Sequence, residues 1–194
     1  MSSTTVEIPP GYVTGTWDID PAHTDVGFVV RHLVVTKVRG KFSDVKGTIV
    51  TTDNPLDSSV DITIGLASIS THNDTRDEHL RSPDFFEVET YPEMTYKASG
   101  ARQDGENFVL DGELSLKGVT KVVPLTFELN GFSADPWGGT RAGFSATAQI
   151  NRKDFNVNFE GVQNGLAVVG DKIDIQIEVE SVLRQPENTE TSGS

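Results

Sequence analysis

Period-two alternation, repeated along most of the chain, is the feature that most restricts its fold. Val60, Ile62, Ile64 and Leu66 alternate with Asp61, Thr63 and Gly65, and Ile173, Ile175, Ile177 and Val179 alternate with Asp174, Gln176, Glu178 and Glu180. Successive side chains of an extended strand point to opposite faces, so each run presents one apolar and one polar side. The same reading groups Val26, Phe28, Val30 and His32, then Phe108, Leu110, Leu114 and Leu116. It also groups Val123, Leu125, Phe127 and Leu129, and then Phe144, Ala146, Ala148 and Ile150. Shorter runs lie at Thr16 to Asp20, Val45 to Thr51 and Met94 to Ala98, giving eight or nine strands of antiparallel type. Many are separated by hairpin-length turns, such as those at Asp104 to Asn107 and Lys117-Gly118. No periodic helix of globular length interrupts them. The class is all-β, a sandwich or an up-and-down barrel, since both put one face in and one out. Gly112 on an apolar side predicts a bend or the close approach of another group, and Pro124 on an outward set predicts an edge or a bulge.

One stretch departs from alternation. Ser70 to Phe86, STHNDTRDEHLRSPDFF, concentrates charge, histidine and aromatics. Asn73 or Asp74 is suited to cap a helix, Asp77 and Glu78 favour its first turn, and Pro83 stops it, so a helical segment is predicted near residues 73–82. Two turns are too few to be stable alone, so the segment must dock, through Leu80, Phe85 and Phe86. Arg76, Asp77, Arg81 and Asp84 form a charge cluster on this segment, and His79 is expected to make a hydrogen bond from the helix to the sheet. A second irregular stretch, Asn151 to Gly165, is anchored by Phe155 and Phe159.

Composition narrows the function classes. With 194 residues the chain is long enough for one sizeable core. A net charge of -13 repels nucleic-acid phosphates and anionic membrane surfaces, so no nucleic-acid partner and no stable membrane insertion are expected. There is no cysteine, which removes disulfides and thiolate chemistry. The start, MSSTTVEIPPGYV, has neither a basic region nor an apolar core of a secretory signal, so a cytoplasmic location is expected. Residues 1–13 and 185–194 read as disordered tails around a single domain at 14–184.

RDEHLRSPDFF followed by ETYPEMTYKA resembles the signature of the YceI-like family of lipocalin-like polyisoprenoid-binding proteins. DPAHTDVGFVVRHL, VRGKF, LSLKGVTKVVPL and GFSATAQINRKDFNV match in the same order, from about residue 16 to 183. Asn156 stands where that last motif has glycine, and asparagine also tolerates left-handed geometry. The resemblance implies a lipocalin-like antiparallel barrel of about eight strands. It further implies non-enzymatic binding, transport or storage of a polyisoprenoid lipid or isoprenoid quinone, with no cofactor apart from that ligand.

Inward residues mix large side chains with Gly47, Ala98, Gly112, Ala146 and Ala148. Small against large can interdigitate into a filled core, or leave a tunnel. With the resemblance, a tunnel is expected, with ligand-binding residues Phe28, Val30, Phe42, Ile64, Met94, Tyr96, Leu114, Phe127 and Phe144. Phe85 and Phe86 are expected beside its entrance, and His32 at its mouth, facing a headgroup. The rival reading is an enzyme of unassigned class using His32 or His79 as general base on a small apolar substrate. His72 and His79 lie seven apart rather than four and no HExxH occurs, so no metal site is expected. No GxSxG, GxGxxG or P-loop is present, and no catalytic residue is assigned. Whether the chain forms a homodimer is left open.

Overall fold

The computed structural model describes residues 6–186. Backbone pairing joins twelve strands into one closed sheet, and two more form a separate hairpin. The first are β1 (Gly15–Ile19), β2 (Asp25–His32), β3 (Thr36–Phe42), β4 (Val45–Thr51), β5 (Ser59–Gly65) and β6 (Ile69–Ser70). After the helix α1 (Asp74–Arg81) come β7 (Glu93–Ser99), β8 (Arg102–Asp104), β9 (Asn107–Leu116), β10 (Val119–Ala134) and β11 (Thr140–Asn151). The small hairpin β12 (Val162–Gln163) and β13 (Leu166–Ala167) precedes the last strand, β14 (Val169–Leu183).

The first six strands are three bent staves. β1 pairs with β4 while β2 pairs with β3, and β5 pairs with β4 while β6 pairs with β3. The breaks fall at Pro21–His23, at Ser43-Asp44 and at Leu66–Ser68. Ser68 ties two of them together: its hydroxyl oxygen accepts the Ser43 and Asp44 N–H groups at 3.1 and 3.0 Å. β7, β9, β10, β11 and β14 follow as single staves. Each stave is antiparallel to its neighbour in sequence, and β14 pairs with both β1 and β2, which closes an eight-stranded barrel. The sandwich alternative is therefore excluded by the pairing itself. The alternation behaves as the strand period requires: Ile173, Ile175 and Ile177 point inward, while Asp174, Gln176 and Glu178 are exposed.

Local exceptions have local causes. Pro124 pairs with Asp111 of β9 and lies two residues before β11 begins to pair at Thr126, so its stretch has a neighbour on one side only. Asn156 is left-handed, with φ of 58°, in the place where glycine was expected. Leu33–Arg39, with neither clean alternation nor a helical pattern, can be read as strand or as helical turn. It resolves into a turn with positive φ at Leu33 and Val34, followed by β3.

Residues 6–13 do not extend away as the expected tail. They lie across one barrel end, where the Tyr12 hydroxyl donates to Thr52 O at 2.8 Å and its ring meets Phe132 edge-on at 5.8 Å. Residues 1–5 and 187–194 of the expected tails lie outside the described residues.

The helix straps the other end. The Asn73 side chain accepts the Arg76 N–H at 2.9 Å as N-cap. Asp77, only 4 % exposed, accepts the Thr71 N–H at 2.9 Å and the Thr71 hydroxyl at 2.5 Å. Arg76 donates to Thr71 Oγ1 and O, and Arg81 to Ala67 O and Ile69 O, so the helix is sewn to the end of β6. His79 differs from expectation. Its Nε2 meets Asp84 at 2.8 Å within the same segment, and its ring packs edge-on against Phe85 and Phe159 rather than hydrogen-bonding the barrel.

Asp77→Ala should lower the unfolding free energy by about 2–3 kcal/mol, because it leaves two buried Thr71 donors without their charged acceptor. Asp77→Asn should lose less. Urea unfolding followed by tryptophan fluorescence measures both.

Candidate functional site

The barrel interior is not filled. A cavity of about 360 Å³ runs along it, and its lining is overwhelmingly apolar. Phe28, Phe127 and Phe144 point inward from β2, β10 and β11, yet they are only half-buried, because the space beside them is open. Interdigitation of small against large residues is thus incomplete. At one end lie Leu80, Phe85 and Phe86 from the strap, with Arg152 and Val157 from the second irregular stretch. At the other lie Val6, Pro9 and Tyr12, the loop residues Pro55 and Leu56, and Phe132.

Of the expected site residues, Phe28, Val30, Phe42 and Ile64 line the cavity from the bent staves. Met94, Tyr96, Leu114, Phe127 and Phe144 line it from β7, β9, β10 and β11, and Phe85 and Phe86 from the strap. His32 does not. It ends β2 opposite Thr36 and Val169, and although Val169 lines the cavity His32 itself does not, so the reading of it as facing a headgroup at the tunnel mouth is not met by the geometry. No histidine lines the cavity.

Tyr96 places a phenol hydroxyl among the lining residues of β7. Its hydroxyl lies 3.1 Å from Leu110 O and 2.9 Å from Val123 O, and it accepts the Gly112 N–H at 3.1 Å. One phenol therefore knits β9 to β10. A Cβ on Gly112 would stand 2.4 Å from Tyr96 Cζ, which explains the glycine on an apolar face. Burial pushes the Tyr96 hydroxyl up to about 12 from its ordinary 10.0.

Two features were not visible in sequence. Arg152 is 5 % exposed at the strapped end, where it donates to Gly170 O at 2.9 Å and Val157 O at 2.8 Å and pairs with Asp171 at 3.2 Å. Nothing in the local sequence marks it, because its acceptors lie on backbone that only the fold brings near. The N-terminal lining residues Val6, Pro9 and Tyr12 were missed because they show no alternation and meet partners far away in sequence.

Among the described residues, Asp20, His23 and Glu180 form the one group with metal-ligand spacing. Arg141 already compensates it, donating to Asp20 at 2.9 Å and also to Glu180 and Asp135. Hydrogen bonds from His23 and then Arg141 hold the Asp20 carboxyl down at about 2. The arrangement is an ion-pair network outside the cavity. Asp77 is engaged by Thr71.

Closed eight-strand topology and an apolar interior define a lipocalin-like barrel. Comparison with known proteins is specific. The YceI-like domain model matches residues 17–181, and the chain belongs to the YceI-like family. It is 40% identical over 166 residues to a UPF0312 protein of Photorhabdus laumondii, covering 85% of this chain and 84% of that one. It is 38% identical over 169 residues to protein YceI of Escherichia coli, covering 87% and 86%. The YCEI protein of Campylobacter jejuni superposes with a TM-score of 0.68 at 35% identity, covering 86% of this chain and 96% of that one. A polyisoprenoid binding domain from Saccharophagus degradans shares the fold, with a TM-score of 0.68 at 18% identity, covering 89% and 100%.

Tyr96→Phe should cost about 1–3 kcal/mol by leaving the Gly112 N–H and two carbonyls without their shared partner. Because the folded state raises this pKa, the native hydroxyl contributes stability that is complete below pH 10 and lost as pH rises from 10.0 toward about 12. Alkaline unfolding of the native protein and the variant, compared across that window, isolates the contribution.

Proposed function

We propose that the protein binds a polyisoprenoid lipid or the tail of an isoprenoid quinone inside the barrel, and carries or stores it unchanged. The observation that carries this reading is the long apolar cavity whose polar groups are already used. Tyr96 is engaged by backbone, and the other polar lining residues, such as Ser58 and Arg152, lie toward the two ends. A ligand rich in hydrogen-bonding groups would have to strip its own water without recompense, whereas a hydrocarbon chain loses nothing. The structural neighbour described as a polyisoprenoid binding domain supports the same choice. Catalysis with His32 or His79 as general base lacks support, since neither histidine reaches the cavity and proton transfer needs hydrogen-bond reach.

Burial of apolar surface then supplies the affinity. At about 0.8 kcal/mol per carbon, a five-carbon isoprene unit contributes up to about 4 kcal/mol. Since about 1.4 kcal/mol is tenfold, affinity for a series of prenols should climb at least tenfold per unit, then level off where the tunnel closes. Displacement of a fluorescent fatty probe measures the series, and a flat response to chain length would overturn the reading.

Ala146 faces the cavity from β11 opposite Phe127 and Ile177. Ala146→Trp should block the tunnel, shift the plateau to shorter chains and lower retention of co-purified lipid at least tenfold, read by extraction and mass spectrometry. Phe144→Ala should move the plateau the other way. Unchanged lipid content in both variants would place the ligand elsewhere.

A further inference from the structure

The β2–β3 hairpin differs from the remaining surface in both charge and polarity. Residues 26–43 carry Arg31, Lys37, Arg39 and Lys41 and no carboxylate, in a chain of net charge -13. The register sets Arg31 opposite Lys37, Val29 opposite Arg39 and Gly27 opposite Lys41, so all four cations share the outward face. Two like charges directly across a strand pair disfavour the pairing, so Arg31 beside Lys37 is a cost to the hairpin itself. Lys41 reaches Asp25 at 3.7 Å, and among the described residues no carboxylate stands within ion-pair distance of Arg31, Lys37 or Arg39.

The tip above these cations is apolar. Val34 is 56% and Val35 77% exposed, and Val34 is held at φ of 66°, a left-handed conformation costly for a β-branched residue. The β12–β13 hairpin stands alongside, tied in by the Leu33 N–H to Val168 O bond of 3.2 Å, and adds the exposed side chains of Val162 and Leu166. Residues 33–36 and 161–170 include no Asp, Glu, Lys or Arg.

We infer that this end of the barrel docks on an anionic phospholipid surface, with the valine tip among the headgroups and outer acyl chains and the hairpin cations against lipid phosphates. The net acidity of the chain does not oppose this. Screening at physiological salt confines electrostatics to about 8 Å, so carboxylates farther down the barrel are not felt. Strand rise puts Lys37 within that range of Val35, whereas Lys41 lies about 20 Å down the strand. The nearby Asp171 is occupied by Arg152 and Lys153. Four aliphatic side chains also offer far less than the roughly 800 Å² per partner of a stable protein interface, but they suit a peripheral lipid contact. The inner face of the same hairpin lines the cavity through Phe28 and Val30, so docking brings the strapped end of the cavity to the bilayer. The inference holds whatever the cavity contains.

Flotation of the full chain with phosphatidylcholine vesicles containing about one-third phosphatidylglycerol, beside pure phosphatidylcholine vesicles, tests it at physiological salt. The protein should float with the anionic vesicles only, and less so as salt rises. Each neutralised cation close to the surface should weaken binding about fivefold, so Arg31→Gln, Lys37→Gln and Arg39→Gln together should weaken it at least about twenty-five-fold, with Arg39, about 13 Å down the strand, adding least. Val34→Gly with Val35→Ser should also weaken it, while relieving the left-handed valine. Melting curves establish that both variants remain folded. No flotation with anionic vesicles at physiological salt, as a hairpin reserved for an acidic protein would give, overturns the inference. So does flotation of the triple variant equal to that of the native protein.

Discussion

Closure of the sheet between its first and last staves is the contact on which the molecule depends. Trp17 pairs with Leu183 and Ile19 with Ser181, while β14 goes on to pair with β2, so both bent halves of the first stave are held by one strand. An open eight-stranded sheet would leave two rows of backbone donors and acceptors exposed, and closure removes both edges at once. Trp17, 1 % exposed, fixes the seam: its indole N–H donates to the Thr51 hydroxyl at 2.9 Å, and that hydroxyl donates onward to Val13 O. The radius is thereby set by strand number and backbone pairing rather than by how well side chains fill the centre. A cavity is a natural result of that constraint.

Side chains nevertheless divide the interior unevenly. The fully buried apolar residues Ile19, Val26, Phe42, Val45, Ile64, Leu66 and Ile69 gather where the three bent staves change direction, joined by Leu114, Leu116, Val123 and Phe155. Inward residues of β11 and β14, from Phe144 to Ile150 and from Ile173 to Val179, are mostly half-buried, and Ala148, Ile150, Ile177 and Val179 pack against that cluster. The cavity is lined from both regions, by Ile19, Val26, Phe42, Val45 and Ile64 as well as by Phe144, Ile173 and Ile175. One set of side chains therefore supplies both the buried core and the wall of the cavity.

The strands were legible because alternation is a local property, and β5 and β14 could be read residue by residue. The helix was legible for the same reason, its cap and its stop both lying within a few residues. What alternation does not encode is which strands continue one another. That β1 runs into β2 and β5 into β6 depends on pairing with β4 and β3, so a barrel and a sandwich read alike until the register is known. His79 was misjudged for a related reason: its partner Asp84 lies five residues on, past Pro83, and only the turn after the helix brings it back. His32 was placed at the tunnel mouth by parity with Phe28 and Val30, but a face that points inward along a strand need not do so where the strand overhangs the barrel end.

That overhang follows from unequal stave lengths. β6 stops at Ser70, opposite Lys41, because Thr71 is captured by Asp77 and Arg76 of the strap. β3 has no such stop and extends five residues beyond Lys41 to Thr36, with β2 paired to it throughout. Across those residues β3 lacks a partner on its other side, which leaves an edge, and charged side chains on such an edge discourage strand addition. Lysine and arginine do so without burying anything, and their clustering on one hairpin makes it the basic prominence of an acidic barrel. The strap that closes the cavity and the hairpin that projects past it are thus two consequences of one event, the termination of β6 at Thr71.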